Sequence, residues 1–217
     1  MPRRPQPLPS SSTAASGKPH ATRTALIDAA AQAFVETGYG AMSVRDLARR
    51  LQMTTGAIYG HFRSKANLLG EAVRLRIDRD LEGEEGPKYP ETKLAEYLAH
   101  NFRDYRKRRA LRALLVEGAA AARVDEDVRA LLHDVVSERQ AGWAKQYRDA
   151  WLAEGLDPDV DPTAVLALVW AAELGLGVLE ALDVRLPKPA VLGATVARLI
   201  GSLGETPRRR RSVASTR

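Results

Sequence analysis

Apolar residues recur three and four positions apart through most of the chain, the spacing that places side chains on one face of an α-helix. Several such stretches follow one another after residue 90, and none of them resembles a strand convincingly. The pattern predicts about nine helices, at residues 22–37, 43–51, 54–62, 64–81, 94–109, 110–122, 125–154, 161–182 and 189–203. We therefore expect an all-α fold.

Two of the shortest predicted helices are joined by a tight corner at residues 52–54. Ser43, followed three residues later by Asp46, fits a capping box at the start of the first helix. The corner is too short for a free loop, so the two helices must cross and touch, and Ala48 is small enough to allow that approach. Thr54 then supplies the N-cap of the second helix.

The second of these helices has two contrasting faces. Ile58 and Phe62 lie four residues apart on one side, which has to be buried. The remaining faces carry small residues and one aromatic residue, namely Gly56, Ala57, Tyr59 and Gly60. Helix faces in contact with solvent normally carry charged, strongly helix-forming residues. A slender face of this kind instead suits close contact with a flat polar surface, such as the floor of a DNA groove.

The net charge of +6 is distributed unevenly. Residues 1–21 carry +3, residues 22–70 carry +3, residues 71–206 carry −5 and residues 207–217 carry +5. The larger helical part is thus acidic, and the basic charge belongs to the two ends and to the segment with the tight corner. This division suits a protein that contacts DNA at one end and another partner elsewhere.

The same patterns predict the domain boundaries. We expect a basic, Pro/Ser-rich and disordered tail at 1–20, a DNA-binding domain at 21–81, a helical regulatory and dimerisation domain at 82–206 and a basic tail at 207–217. The first tail is read either as a solvated segment or as an arm that enters the minor groove. The basic run at 103–112 is read either as a solvated helix face or as a second nucleic-acid patch.

Composition excludes several functional classes. There is no Cys, so a disulfide framework and a thiolate metal site are excluded. No run approaches about 18 apolar residues and no secretory signal is recognisable, so we expect a cytoplasmic protein. His100 and His133 are isolated, and no phosphate-binding loop or catalytic Ser/His/Asp arrangement is present. We therefore expect no metal, no cofactor and no enzymatic activity.

The N-terminal residues resemble the DNA-binding domain of TetR-type (tetracycline-repressor-like) transcriptional regulators. The resemblance is carried by Thr22-Arg23, Leu26-Ile27-Asp28-Ala29-Ala30, Phe34, Gly38-Tyr39, Ser43-Val44-Arg45-Asp46-Leu47-Ala48, Gly56-Ala57-Ile58-Tyr59, His61-Phe62, Ser64-Lys65 and Leu68-Leu69. In place of the Gly that the family usually has at the corner, this chain has Gln52. Gln52 is therefore expected either to adopt a strained backbone or to alter the turn.

The resemblance implies a larger helical domain that binds a ligand and dimerises, and a homodimeric repressor of a palindromic operator. Phosphate contacts are expected from His61 and Lys65, and base readout from Arg45, Thr54, Thr55 and Tyr59, with Ala57 suited to a thymine methyl group. Ser43 and Gly56 complete the expected DNA-binding set.

The last two long helices suggest self-association. Small residues recur every four positions at Ala167, Ala171 and Gly175, and Leu192, Val196 and Leu199 form a stripe on the last helix. These six residues are the predicted dimer interface, and a tight intrachain core is the alternative.

An apolar effector pocket, also implied by the resemblance, is predicted to be lined by Phe102, Trp143, Tyr147, Trp170 and Glu173. Ordinary core aromatics and a Glu at the dimer face would explain the same residues. A transcriptional activator, a non-specific nucleoid-type DNA binder driven by the basic tails and a helical enzyme are the competing functions.

Overall fold

The computed structural model describes the backbone of residues 17–81 and 91–203, and the side chains of residues 23–79 and 91–203. Within these ranges it forms nine helices and no strand. The helices are α1 (Gly17–Ala41), α2 (Val44–Arg50), α3 (Thr55–His61), α4 (Lys65–Leu81), α5 (Leu94–Arg103), α6 (Arg109–Ala122), α7 (Glu126–Ala153), α8 (Pro162–Ala181) and α9 (Pro189–Leu203). The predicted all-α fold is confirmed.

Several helix ends follow from capping residues identified in the sequence. The Thr54 side chain accepts a hydrogen bond from the Ala57 N–H at 3.1 Å, as predicted for the N-cap of α3. Asp161 caps α8, with Pro162 at the first helical position. Ser43 occupies the N-cap position of α2, but its side chain makes no capping hydrogen bond. The predicted capping box is therefore wrong, and the carboxylate of Asp46 instead pairs with Arg49 at 2.6 Å.

Three predicted helix boundaries also differ from the structure. The first helix begins at Gly17, so residues 17–20 of the tail predicted to be disordered are helical. The first helix extends past its expected end to Ala41, with a break at Gly38, where φ is +79°. That positive φ is the reason the helix axis changes there, because glycine tolerates it at little cost. The fifth helix ends at Arg103, six residues early, and residues 104–108 form a turn that leads into α6. Residues 1–16 and the predicted tail at 207–217 lie outside the described residues.

The buried apolar residues form two clusters. The first joins α1–α4 to α6 and α7, through residues such as Phe34, Leu69 and Leu114. The second joins α5, α7, α8 and α9 around the fully buried Trp151. The N-terminal helices therefore share a hydrophobic core with α6 and α7. Because a well-packed core transmits displacement, a movement of α6 or α7 can reach α2 and α3.

Helix α8 is long and apolar enough, by length and composition alone, to cross a membrane, and 28% of that stretch is buried inside the fold. The apolar-run criterion missed it because Glu173 and Glu180 interrupt the sequence. In the fold these carboxylates pair with Arg108 and Arg112 of the α6 region. The core helix of a soluble protein meets the same criterion as a membrane span.

Candidate nucleic-acid interface and internal cavity

The corner between α2 and α3 is closed by the backbone. Gln52 adopts φ +53°, and the neighbouring Met53 N–H donates to the Ala48 carbonyl at 2.9 Å. The strained backbone expected for Gln52 is thus confirmed, at a cost on the order of 1–3 kcal/mol for a residue other than glycine. The turn survives because Ile58 and Leu47 on the two helices are both buried.

Helix α3 is anchored from one side only. Ile58 is 1% exposed and Phe62 is 2% exposed, which confirms the predicted buried face. Apart from the partly buried Thr55, the other residues of the helix are exposed, and Tyr59 is 51% exposed. A Cβ added at Gly60 would meet nothing within 4 Å, and one at Gly56 would meet only the Thr54 hydroxyl at 3.8 Å. The protein's own packing therefore does not require these glycines, whereas a surface lying against α3 would.

The predicted DNA-contacting residues fall into two groups. The first group consists of six exposed residues, namely Arg45, Thr54, Gly56, Ala57, Tyr59 and His61. Partly buried positions belong to Ser43, Thr55 and Lys65. The exposed group is clustered on α2, α3 and the corner between them, so these residues can be approached together by one partner.

Lys65 has an internal role in this structure. Its ammonium donates to the Tyr39 carbonyl at 2.5 Å and to the Met42 carbonyl at 3.1 Å, and it lies 4.3 Å from the centre of the Tyr39 ring. Burial lowers the pKa of Lys65. The side chain thus holds the segment between α1 and α2 in place, and its predicted phosphate contact stays a prediction.

Tyr39 is one of the points where the N-terminal helices meet the larger domain. Its backbone N–H donates to Glu117 Oε1 at 2.5 Å, and its hydroxyl donates to Asp125 Oδ2 at 2.9 Å. Asp125 accepts hydrogen bonds from the Val128 N–H and from Tyr39. These two bonds, the first having the larger effect, hold the pKa of Asp125 below its usual range. Glu117 lies on α6 and Asp125 caps α7, so one residue joins α1 to both helices. Sequence reasoning missed this junction, although Gly38-Tyr39 marked its position.

A cavity of about 60 Å³, partly open to solvent, lies between the helices of the larger domain and α4. Its lining includes four of the five predicted pocket residues, Trp143, Tyr147, Trp170 and Glu173. The fifth, Phe102, is buried in the α5–α9 core and does not belong to the lining. The lining residues that the sequence did not reveal are Ile77, Tyr97, Asn101, Arg108, Leu111, Arg112, Leu115 and Leu174.

The cavity combines aromatic walls with paired charges. The rings of Trp143 and Trp170 lie 5.0 Å apart between centroids, tilted by 54°. Arg108 and Glu173 form an ion pair at 3.4 Å, and their side chains are 18% and 20% exposed. Burial raises the pKa of Tyr147, and the nearby Glu173 carboxylate raises it further. Within the described ranges, no group of three or more His, Asp or Glu side chains is placed to hold a metal ion.

The predicted dimer residues lie on the outer side of α8 and α9. Ala167 and Ala171 are exposed, Gly175 is partly exposed and Leu199 is 60% exposed. Leu192 and Val196 are half-buried because they also pack against the second core cluster. Large apolar side chains that the prediction did not include share this exposure, among them Leu168 and Leu182, each 68% exposed.

A short helix pair with a tight corner and an exposed second helix defines the helix-turn-helix class of DNA-binding proteins. Residues 26–72 match the family described as bacterial regulatory proteins, tetR family. These residues match a tetR-family DNA-binding domain. The same region is 43% identical over 61 residues to the HTH-type transcriptional repressor KstR2 of Rhodococcus jostii (strain RHA1). That match spans 28% of this chain and 29% of the repressor's length.

The similarity to solved structures covers most of the chain. Salmonella enterica GusR superposes with a TM-score of 0.70 at 24% identity, covering 88% of this chain and 99% of GusR. FadR of Bacillus subtilis, in complex with stearoyl-CoA, superposes with a TM-score of 0.68 at 16% identity, covering 83% of this chain and 98% of FadR. At these identities the comparison establishes the fold, in which a helix-turn-helix domain precedes a larger helical domain.

Proposed function

We propose that this protein is a homodimeric transcriptional repressor that binds a palindromic DNA operator in the cytoplasm and is released from it by a small organic effector. The observation that carries the proposal is α3, a helix fixed by Ile58 and Phe62 with an outward face that its own fold leaves uncovered. The similarity of this region to the repressor KstR2 supports the same conclusion.

The outward face of α3 explains how the operator would be read. Gly56 and Gly60 let the helix approach the groove closely, while Tyr59 and Thr55 supply side chains at its rim. Few side chains reach base edges from such a helix, so recognition depends strongly on groove shape and phosphate contacts. Arg45, exposed on α2, is the candidate for a direct contact with guanine.

A second copy of the chain is the partner proposed for the apolar face of α8 and α9. Leu168 is 68% exposed and Leu199 is 60% exposed, and large exposed apolar side chains of this kind are typical of a surface that a partner covers. Twofold symmetry would set two α3 helices about 34–36 Å apart, one turn of DNA. We expect Leu168→Glu to shift the protein to monomer in sedimentation analysis. Leu152→Glu is the matched control, because Leu152 is 67% exposed on α7.

The cavity supplies the route for release. Ile77 of α4 lines it directly, as do Leu111 and Leu115 of α6. A molecule that enlarges the cavity would push both helices, and α6 also carries Glu117, the partner of Tyr39. At about 60 Å³ the cavity is far smaller than the roughly 300 Å³ or more that ligand sites usually have. Effector binding therefore has to be coupled to a helix displacement.

The test is a footprint of the purified protein on the DNA that flanks its own gene. We expect a protected site with twofold symmetry and two half-sites one turn apart. Tyr59→Ala together with Thr55→Ala should abolish the footprint at protein concentrations that saturate the wild type. Unchanged protection by this double variant, or an asymmetric site, would contradict the proposal.

Arg45→Ala separates base reading from phosphate binding. If Arg45 pairs with guanine, we expect a loss of about 1–3 kcal/mol on the operator and little change on random DNA. Arg129→Ala, at an exposed position of α7, is the matched control for removing one positive charge. Equal weakening on both DNAs would show that Arg45 contacts only phosphate. Transcription in vitro from the footprinted promoter then distinguishes a repressor from an activator.

A further inference from the structure

The chemistry of the cavity lining indicates which class of effector it accepts. Hydrogen-bond donors predominate among its polar groups: Arg108 is a donor only, and Tyr97, Tyr147 and Asn101 each carry an N–H or O–H group. Arg112 is already held by Glu180, through two hydrogen bonds of 3.1 and 2.7 Å to one carboxylate oxygen. Arg108 forms an ion pair of 3.4 Å with Glu173. A ligand rich in acceptor oxygens fits this lining.

Charge at this end of the cavity decides between an anionic and a cationic ligand. Residues 100–112, which bear three polar lining groups, carry six positive side chains and one negative: Arg103, Arg106, Lys107, Arg108, Arg109 and Arg112 against Asp104. The N-terminal end of α6, at Arg109, adds the positive end of a helix dipole. Burial lowers the pKa of His100, and the charges of Arg108, Lys107 and Arg103 lower it further against the opposing effect of Asp104. Counted together with Glu173 and Glu180, the carboxylates paired with Arg108 and Arg112, this end of the cavity retains a net charge of +3, which favours an anion.

The aromatic residues determine the shape of the ligand body. Trp143 and Trp170 form one tilted pair and Tyr97 and Tyr147 another, at 5.0 and 6.3 Å between ring centroids. Such walls accept a planar ring by stacking or edge contact. They would also suit an organic cation next to Glu173. The positive field of the 100–112 segment opposes that alternative.

We propose that the effector is an organic acid with a flat apolar body, whose carboxylate binds Arg108 in competition with Glu173. This inference rests on the proposed effector-controlled function. A cavity of about 150 Å³ is needed to hold a benzene ring, so the present volume of about 60 Å³ has to grow on binding. Separation of Arg108 from Glu173 allows that growth, because the pair joins the start of α6 to α8.

Three probes with one ring system test the charge preference on the full-length protein: naphthoate, its carboxamide and the naphthylmethyl ammonium ion. Calorimetry gives the affinities, and quenching of tryptophan fluorescence, compared with Trp143→Phe, reports binding in the cavity. We expect naphthoate to bind about tenfold or more tightly than the carboxamide, and the ammonium ion to bind most weakly. Tighter binding of the ammonium ion or of the carboxamide, or no binding of naphthoate, would overturn the proposal.

Two variants locate the preference at Arg108. Arg108→Gln should remove the advantage of naphthoate over its carboxamide, while Arg109→Gln, an exposed neighbour with the same loss of charge, should retain most of it. Glu173→Gln removes the competing carboxylate and should tighten naphthoate binding. An unchanged naphthoate preference in Arg108→Gln, with thermal unfolding confirming a folded protein, would refute the assignment.

The same proteins are then tested for operator binding without probe. Naphthoate binding with no operator binding would refute the proposed repressor function and leave the ligand class standing. Operator binding without the naphthoate preference would refute the ligand class alone.

Discussion

The buried ion pair between α6 and α8 provides the sharpest test of the packing around the cavity. Arg112 is 3% exposed, and its Nε and Nη2 groups both donate to Glu180 Oε2, at 3.1 and 2.7 Å. Its guanidinium also lies 5.4 Å from the centre of the Tyr105 ring. Arg112→Met keeps most of the apolar stem but leaves the Glu180 carboxylate, 14% exposed, without its cation. Removing one partner of a buried pair typically costs 3–5 kcal/mol.

We expect the lower end of that range, about 3 kcal/mol, because Glu180 retains some access to water. For a chain of this length each kcal/mol lowers Tm by about 2–4 °C, so the expected decrease is roughly 6–12 °C. The double variant Arg112→Met, Glu180→Met replaces both charges by apolar groups and should recover most of the loss. Unfolding by urea and by heat measures both quantities, at one protein concentration because unfolding of the proposed dimer would depend on concentration.

Arg129→Met is the matched control, since Arg129 pairs with Glu126 on the surface of α7, where both side chains are more than 60% exposed. A surface pair contributes about 0–1 kcal/mol, so this variant should remain close to the wild type. If Arg112→Met cost no more than Arg129→Met, or if the losses in the double variant were additive, the buried pair would not be a coupled structural contact.

Two further predictions concern α5 and its neighbour α9. A Cβ at Gly193 would meet Arg103 Cβ at 3.2 Å and its Cγ at closer range. Gly193→Ala should therefore destabilise the fold by about 1–3 kcal/mol in urea unfolding. Gly142 lies in open space on α7, so Gly142→Ala should stabilise the fold by up to about 1 kcal/mol. Destabilisation by both, or by neither, would contradict the close approach of α5 and α9. Burial lowers the pKa of His100 in the folded state, so the unfolded chain binds its proton first as pH falls. Stability should therefore decrease as pH falls below about 6.5, and less so in His100→Gln; parallel profiles would refute this.

The DNA-binding end of the fold could be predicted from the sequence because its determinants are local. Helix spacing identified Ile58 and Phe62 as the buried side of α3. The side chain of Thr54 caps this helix through a hydrogen bond from the N–H of Ala57, only three residues along the chain. Ser43 shows the limit of such reasoning. A capping box needs a free carboxylate, and the carboxylate of Asp46 is already engaged by Arg49 at the other end of a short helix.

The cavity could be predicted only in part, because its residues come from five helices. Four of the lining residues are aromatic or charged and lie at apolar positions of α7 and α8, so the sequence predicts them; they are Trp143, Tyr147, Trp170 and Glu173. Phe102 has the same character, but it is buried in the second core cluster, and no local pattern specifies that placement. Arg108 belonged to a basic run that reads equally well as a solvated surface. Its inward position follows from the turn at 104–108, which sequence spacing did not reveal.

Helix α6 explains how a small cavity is connected to a DNA-binding surface in the same chain. Arg112 and Leu115 of this helix line the cavity. Two residues after Leu115, the Glu117 carboxylate accepts a hydrogen bond from the backbone N–H of Tyr39. Gly118 lies close against α7, where an added Cβ would be 2.9 Å from Leu132. A helix packed this closely moves as a rigid element, because a well-packed core transmits displacement and absorbs little of it. If α6 moves when the cavity is enlarged, it would shift the Tyr39 junction or break the bond between Tyr39 and Glu117, and either outcome would change the orientation of α1 against α2.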